Sequence, residues 1–400
     1  MKIAILGFGT VGSGVYEVLK TNYETITKRA GVEIDIKYVL DLRTFPGQPV
    51  EEVLVHDFDQ IVNDPEVEII VETMGGLEKA YSFVKEALLK GKSVCTSNKE
   101  LVAKYGAELL EIAKQKKINF LFEASVGGGI PIIRPLNQSL TADQIIEITG
   151  VLNGTTNYML TEMKERGISF QEALEEAQQK GFAERNPAAD IEGYDACRKI
   201  AILTSLAYGK QVDYEKIPTE GIVNISDIDI QYALNMKAAI KLLGSSKQVG
   251  DNIYTMVAPK IISENHPLYT VNGVFNGILV RGNVLGDVMF YGSGAGKLPT
   301  ASAVVSDIVD SAKHKGRNIM TIWSQKELEL ADTKSLTCKF FVRVKQEETE
   351  AAKRVFPIKQ VCEAPNVSGE FAFLTEQMSE EKFKKAALKV SVLNWIRTEL

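Results

Sequence analysis

Four hundred residues, 45% hydrophobic and 24% charged, describe a globular chain with room for two or three domains rather than a disordered one. A formal charge of −6 and a pI near 5.5 argue against nucleic acid as a partner, because phosphate binding needs a concentrated basic surface that no window supplies. Cys95, Cys197, Cys338 and Cys362 lie far apart with no CxxC, so neither a zinc site nor a disulfide framework is expected.

The chain starts on a strand-like MKIAILG without a basic, cleavable leader. No apolar run approaches the ~20 residues of a membrane span, so a cytoplasmic protein without a membrane partner is expected. From 2 to 120, β-rich runs (KIAILGFG, EIDIKYVL, VEIIVETMG, KSVCTSN, KINFLFEAS) alternate with the helical patterns SGVYEVLKTNYETITKRA and ELVAKYGAELLEIAKQKK. That alternation predicts a parallel α/β sheet with helical crossovers. Directly after the first strand, GFGTVG places Gly7, Gly9 and Gly12 in GxGxxG spacing, with Phe8, Thr10 and Val11 completing the loop. The first glycine suits a tight turn, the second the close approach of a pyrophosphate, and the third helix packing on strand. A Rossmann domain over 1–130 binding NAD or NADP follows.

The second strand ends on Asp41, which favours a ribose 2′-hydroxyl, and Arg43 two residues later favours a 2′-phosphate. Thr73, in ETMGG, falls where a strand's carboxyl end would face a cofactor or is a simple turn residue. Lys99, in CTSNKELVA, falls at a strand end where α/β proteins place active-site residues or is a solvated lysine at a helix start. In FEASVGGGIPII, three glycines suit a loop whose backbone faces a ligand, ion or partner. Helical patterns at 156–166, 169–180 and 194–209 precede strand-like runs at 253–258, 270–275 and 278–282, and a helix over about 301–314 follows Pro299. In the 194–209 helix, Asp195, Lys199, Leu203 and Leu206 share one face. Lys199 therefore points inward, where a lysine snorkels, pairs with a carboxylate, or holds a lowered pKa suited to proton transfer. From 338 to 400 the runs CKFFVRV, ETEAAKRVF, IKQVCEA, GEFAFLTE, EEKFKKAALKV and VLNWIRTEL predict the βαββαβ order of a ferredoxin-like module.

GFGTVGSG, SNKELVA, FEASVGGGIPIIRPL, GVLNGTTNYMLTEM, GFAERNPAADIEGYDACRKIAIL and GSGAGKLPTASAVVSD, in this order and spacing, resemble homoserine dehydrogenase over about residues 1–320. The resemblance implies interconversion of L-homoserine and L-aspartate 4-semialdehyde with NAD(P). It implies that Glu184 holds the substrate ammonium, that Gly181, Asp190 and Asp195 line the same pocket, that Lys199 handles the hydroxyl proton, and that Lys99 lies opposite. It implies a sodium or potassium ion at Glu123, Val126, Gly128 and Ile130. Gly296 would approach the cofactor, as 294–314 returns to the nucleotide domain. An α+β substrate and dimerisation domain would occupy 131–320, and an ACT-like module 321–400, in a homodimer or homotetramer. Family members commonly carry an arginine just before the acid of the second strand; Leu40 stands there, so a lean toward NADP rests on Arg43. The tail lacks the glycine-containing turn that usually binds an amino acid after its first strand. Two rival functions, a catalytically silent metabolite sensor and a reductase of another semialdehyde, share the scaffold. A sensor needs a ligand clamp but no proton-transfer lysine.

Overall fold

In the computed structural model, which describes residues 1–400, the run KIAIL forms β1 (Lys2–Leu6), a central strand of a six-stranded parallel sheet. There follow α1 (Thr10–Thr21), α2 (Tyr23–Ala30), β2 (Asp35–Leu40), β3 (Leu54–Val55), α3 (Phe58–Val62), β4 (Val67–Glu72), α4 (Glu78–Leu89), β5 (Ser93–Thr96), α5 (Lys99–Lys116) and β6 (Phe120–Leu121). Successive side chains of β1 enter opposite cores: Ile3 and Ile5 pack on one side of the sheet, Ala4 and Leu6 on the other. The strand order β3-β2-β1-β4-β5-β6 puts the switch point between β1 and β4, where a crevice opens at the strands' carboxyl ends. The helical pattern over 13–30 resolves into two helices that part at Asn22. KINFLFEAS yields only the two-residue β6, because the chain turns at Glu123–Ser125.

The second unit contains β7 (Ile145–Val151), α6 (Gly154–Arg166), α7 (Phe170–Gln179), α8 (Ala188–Ile191), α9 (Tyr194–Tyr208), β8 (Lys210–Gln211), α10 (Asp227–Asn235), β9 (Ala238–Val249), β10 (Asn252–Ser263), β11 (Phe275–Gly282) and β12 (Gly286–Ser293). Its long strands form an antiparallel sheet in the order β12-β11-β7-β9-β10, against which α6 and α9 pack. A strand at 270–275 is not formed. Pro267–Thr270 is a tight helical turn, and β11 begins only at Phe275. α11 (Lys297–Lys313) then packs on α1, so closely that a Cβ on Gly14 would press on the Lys297 carbonyl at 2.7 Å. Pro299 lies in its first turn, where a missing N–H removes no helical bond.

β13 (Ser324–Glu327) pairs with β8. The tail adds β14 (Thr337–Lys345), α12 (Thr349–Val355), β15 (Ile358–Cys362), β16 (Glu370–Thr375), β17 (Met378–Ser379), α13 (Glu380–Ala387) and β18 (Val392–Thr398). The βαββαβ sheet runs β18-β14-β16-β15, over an aromatic core that includes Phe340, Phe373 and Phe383. β18 also pairs in parallel with β10, through Lys260 opposite Arg397 and Ile261 opposite Thr398. The tail sheet thereby continues the second sheet. No helix is long and apolar enough to cross a membrane.

Candidate active site

α9 begins at Tyr194, after Gly193 in a left-handed conformation (φ +88°), so Asp195 sits in its first turn, where the helix dipole favours a carboxylate. One turn on, Lys199 Nζ donates to Asp195 Oδ2 at 2.7 Å and to the Leu152 carbonyl at 2.7 Å. Lys199 is 8% exposed, which rules out snorkelling. From the other domain, Lys99 at the start of α5 places its Nζ 2.6 Å from Asp195 Oδ1. One carboxylate thus joins two ammonium groups across the domain boundary. The two lysines shift oppositely. Burial, reinforced by the nearby Lys99 charge, lowers the Lys199 pKa against the pull of Asp195. Lys99, with 42% of its side chain exposed against 10% for Lys199, is raised by Asp195 because desolvation opposes it less. Burial alone would raise the Asp195 pKa, yet the two ammonium groups hold it below the usual carboxylate range.

Asn153 ties this cluster together. Its Oδ1 caps α6 by accepting from Thr156 N at 2.8 Å, and its Nδ2 donates to Asp190 at 2.7 Å and to Asp195 at 2.9 Å. Burial and the Asp195 charge raise the pKa of Asp190. Gly181 (φ +73°) and Glu184 lie in the exposed loop beyond α7. The Glu184 carboxylate makes no hydrogen bond or ion pair within the chain; only its carbonyl is engaged, accepting from Gln178 at 3.1 Å. The structure therefore brings Asp190, Asp195, Lys99 and Lys199 together and leaves Glu184 apart with a free carboxylate. Sequence reasoning missed Asn153 and the Leu152 carbonyl. The Asn-Gly step before a helical pattern signals a cap, but nothing in it announces the two carboxylates.

At the parallel sheet's switch point, a cleft of about 430 Å³ is lined by residues including Gly7, Gly9, Asp41, Arg43, Thr73 and Lys79. Gly7 has φ +92°, a Cβ on Gly12 would overlap the Gly7 carbonyl, and a Cβ on Gly9 would meet nothing within 4 Å. The three glycines of the fingerprint thus serve in different ways, Gly7 for the turn, Gly12 for packing and Gly9 for open approach. Phe8, Thr10 and Val11 lie within this turn and the first residues of α1, whose amino end points an anion site at the cleft. Thr73 Oγ1 donates to the carbonyls of Leu6 and Gly7 at 3.0 and 2.9 Å, fixing the loop to β4. Asp41 accepts from Phe8 N at 2.8 Å and from the Arg43 guanidinium at 2.9 and 2.8 Å. The Arg43 guanidinium, with the backbone N–H groups of Arg43 (3.0 Å) and Phe8, holds its carboxyl well below the usual range. Gly296, with φ +121°, stands immediately before α11. These features fit a dinucleotide.

The glycine-rich loop is packed tightly: Gly127 and Gly128 have φ +74° and +57°, and a Cβ on Gly129 would press on Pro299 at 2.9 Å. The carbonyls of Val126, Gly128 and Ile130 accept no hydrogen bond from the chain, although these residues are buried. Unpaired buried carbonyls suit a hard monovalent cation. The Glu123 carboxylate is not free to join them. It accepts from the backbone N–H groups of Ile132, Ile133 and Arg134 at 2.6, 2.8 and 2.8 Å, leaving only its carbonyl for an ion. No group of three or more His, Cys, Asp or Glu side chains is arranged to hold a metal.

Residues 7–123 match the family model for the homoserine dehydrogenase NAD binding domain, and residues 131–309 match that for homoserine dehydrogenase. The homoserine dehydrogenase of Synechocystis sp. is 47% identical over 316 residues, covering 78% of this chain and 73% of its own length. The crystal structure of a homoserine dehydrogenase from Thiobacillus denitrificans aligns with a TM-score of 0.92 and 34% identity over 100% of this chain and 98% of that one. A hyperthermophilic archaeal homoserine dehydrogenase in complex with NADPH aligns with a TM-score of 0.67 and 30% identity, covering 78% of this chain and 97% of its own.

Proposed function

The chain belongs to the homoserine dehydrogenase family, as an oxidoreductase that interconverts L-homoserine and L-aspartate 4-semialdehyde with a nicotinamide cofactor, and we propose that Lys199 moves the hydroxyl proton in that reaction. The observation that carries this assignment is the single Asp195 carboxylate joining a buried Lys199 to a half-exposed Lys99. Two ammonium groups around one carboxylate leave an excess positive charge. The more deeply buried lysine is the one that sheds its proton more readily. Neutral Lys199 takes the substrate hydroxyl proton as the carbonyl forms, and its ammonium returns that proton in the reverse direction. Lys99 stays charged and steadies the negative charge that develops on the substrate oxygen. The glycine turn at Gly7–Gly12, with Asp41, Arg43 and Thr73, would hold a nicotinamide cofactor in the switch-point cleft, and that group would supply the hydride chemistry. Asp190, and Glu184 with its free carboxylate, hold the substrate ammonium, with Gly181 shaping that loop. The proton-transfer lysine favours an enzyme over a silent sensor.

Gly7 to Gly12, Asp41, Arg43, Thr73, Lys99 and Gly296 form the cofactor side. Both cofactors serve, with a lean toward NADP. The support is that Arg43 cancels the charge of Asp41 and shares the cleft with Lys79 and His56. The carbonyls of Val126, Gly128 and Ile130, with that of Glu123, hold a structural sodium or potassium ion. Residues 1–130, 131–320 and 321–400 act as nucleotide, substrate and ACT-like regulatory or oligomerisation units of a cytoplasmic homodimer or homotetramer, in the route to threonine and methionine. The test is an absorbance assay with L-homoserine and NAD or NADP. Reduction of both is expected, and Arg43→Ala should raise the Michaelis constant for NADP alone. No reduction with either cofactor would contradict the reading, and an equal rise for both would make Arg43 a surface residue.

A further inference from the structure

The two site carboxylates hang on a short turn. Asp190 stands one residue before the end of α8, Asp195 lies in the first turn of α9, and the chain turns between them over Ile191–Gly193. Over Ile191 and Glu192 the back of that turn is covered by backbone. Ile222 N donates to the Ile191 carbonyl at 2.8 Å, and a Cβ on Gly221 would overlap that carbonyl and Glu192 Cα. Gly193 is more loosely seated, against the Thr219 and Val257 side chains that a Cβ there would meet at 3.2 Å. A segment pressed this closely against a turn transmits its own displacement to it.

Next to Gly221, Glu220 is gripped from the C-terminal module. Arg397 on β18, itself 4% exposed, donates to both Glu220 oxygens at 2.7 and 2.8 Å and to Glu380 at 3.0 and 2.8 Å. A two-pronged guanidinium–carboxylate pair fixes orientation as well as distance. β18 is also the strand that joins the tail sheet to β10, whose Val257 carbonyl accepts from Glu220 N at 2.8 Å.

We propose that Arg397 is a positioning residue for the substrate pocket: through Glu220 and the glycine backbone at 221, it fixes the Ile191–Gly193 turn and so the spacing of Asp190 and Asp195. The proposal rests on the reading of those carboxylates as substrate-side groups. It gives the tail a catalytic consequence without any residue of the tail reaching the substrate.

The test is steady-state kinetics of Arg397→Gln, Arg397→Lys, Glu220→Gln and the Arg397→Gln/Glu220→Gln double variant, with cofactor affinity measured by titration. Glu220, with 43% of its side chain exposed, tolerates an isosteric amide without unfolding, so Glu220→Gln keeps the test decisive if Arg397→Gln does not fold. Arg397→Gln and Glu220→Gln should each raise the Michaelis constant for homoserine about 3- to 10-fold, with kcat falling less and cofactor affinity unchanged. The double variant should be no worse than either alone, because both changes cut one link. Arg397→Lys should recover part of the loss. An unchanged homoserine Michaelis constant in Glu220→Gln, or an equal loss of cofactor affinity, overturns the proposal. Asp190→Asn separates the two readings: if it raises the homoserine Michaelis constant and Glu220→Gln does not, only the coupling is wrong, whereas no effect of Asp190→Asn means the pocket itself was misassigned.

Discussion

Asp195 decides the protonation of the site because it is the only carboxylate in contact with both lysines. It raises the proton affinity of each, and Lys199 still ends below the ordinary lysine value because burial outweighs it. With the role proposed for Lys199, its neutral form is the reactive one in the oxidation direction, so the rate should rise with pH through the Lys199 pKa, on a limb below that of a free lysine near ~10.4. Asp195→Asn removes the charge that stabilises the ammonium. The limb should therefore move to lower pH while kcat on the plateau falls, because Lys199 and Lys99 lose the group that orients them. A pH–rate profile checks this, and a limb that moves to higher pH would contradict it. The i, i+4 pair of Asp195 and Lys199 was legible because both stand on an otherwise apolar helical face. The contact from Lys99 was not, since the two residues are far apart in the chain and their meeting depends on how the domains pack. Glu123 shows a different limit: only the family resemblance placed it at a cation site, and the turn at 132–134 consumes its carboxylate with three amides.

Among the elements, α6, α7 and α9 match their sequence patterns to within two residues, since each has a glycine or a capping side chain at its start. β9 is not legible in the same way. Its Ala238–Ser246 stretch is buried on both faces, and Lys241, Ser245 and Ser246 interrupt the apolar alternation that marks a strand. The tail is clearer, because CKFFVRV and EFAFLT alternate around short amphipathic helices. α6 joins fold to function at one residue, Asn153, whose side chain caps the helix and holds two carboxylates. Asn153→Ala should lower stability by about 1 kcal/mol and also raise the homoserine Michaelis constant. Asn153→Ser restores a cap acceptor without the amide donor. Thermal unfolding should then recover while the Michaelis constant stays high; recovery of both would show that only the cap matters.

At the scale of the molecule, the first two units meet where α5 packs on α9, and the tail extends the second sheet. Lys241 lies within that second unit, 2% exposed. Its Nζ donates to Asn157 Oδ1 at 3.1 Å, to Asn272 Oδ1 at 2.9 Å and to the Val271 carbonyl. No carboxylate meets it, and burial, with Lys164 nearby, lowers its pKa to about 7. The unfolded chain, with a lysine pKa near ~10.4, binds more protons between the two values, so this group makes stability rise as pH climbs from about 7 toward 10. The difference in unfolding free energy between the wild type and Lys241→Met should grow in favour of the wild type across that range. A flat difference would mean that Lys241 stays charged. The parallel α/β sheet with helical crossovers and the glycine fingerprint were visible in the sequence; the placement of one unit's lysine on the other's carboxylate was not, because it is a property of packing.

Lys199→Ala tests the account at its centre. Turnover of L-homoserine is to be measured beside the dissociation constant of the reduced cofactor, obtained by fluorescence titration. Turnover should fall about 100-fold or more, with cofactor affinity close to that of the wild type, since Lys199 lies among the substrate-side carboxylates and not in the dinucleotide cleft. Full turnover in the variant would contradict the assignment of the proton to Lys199.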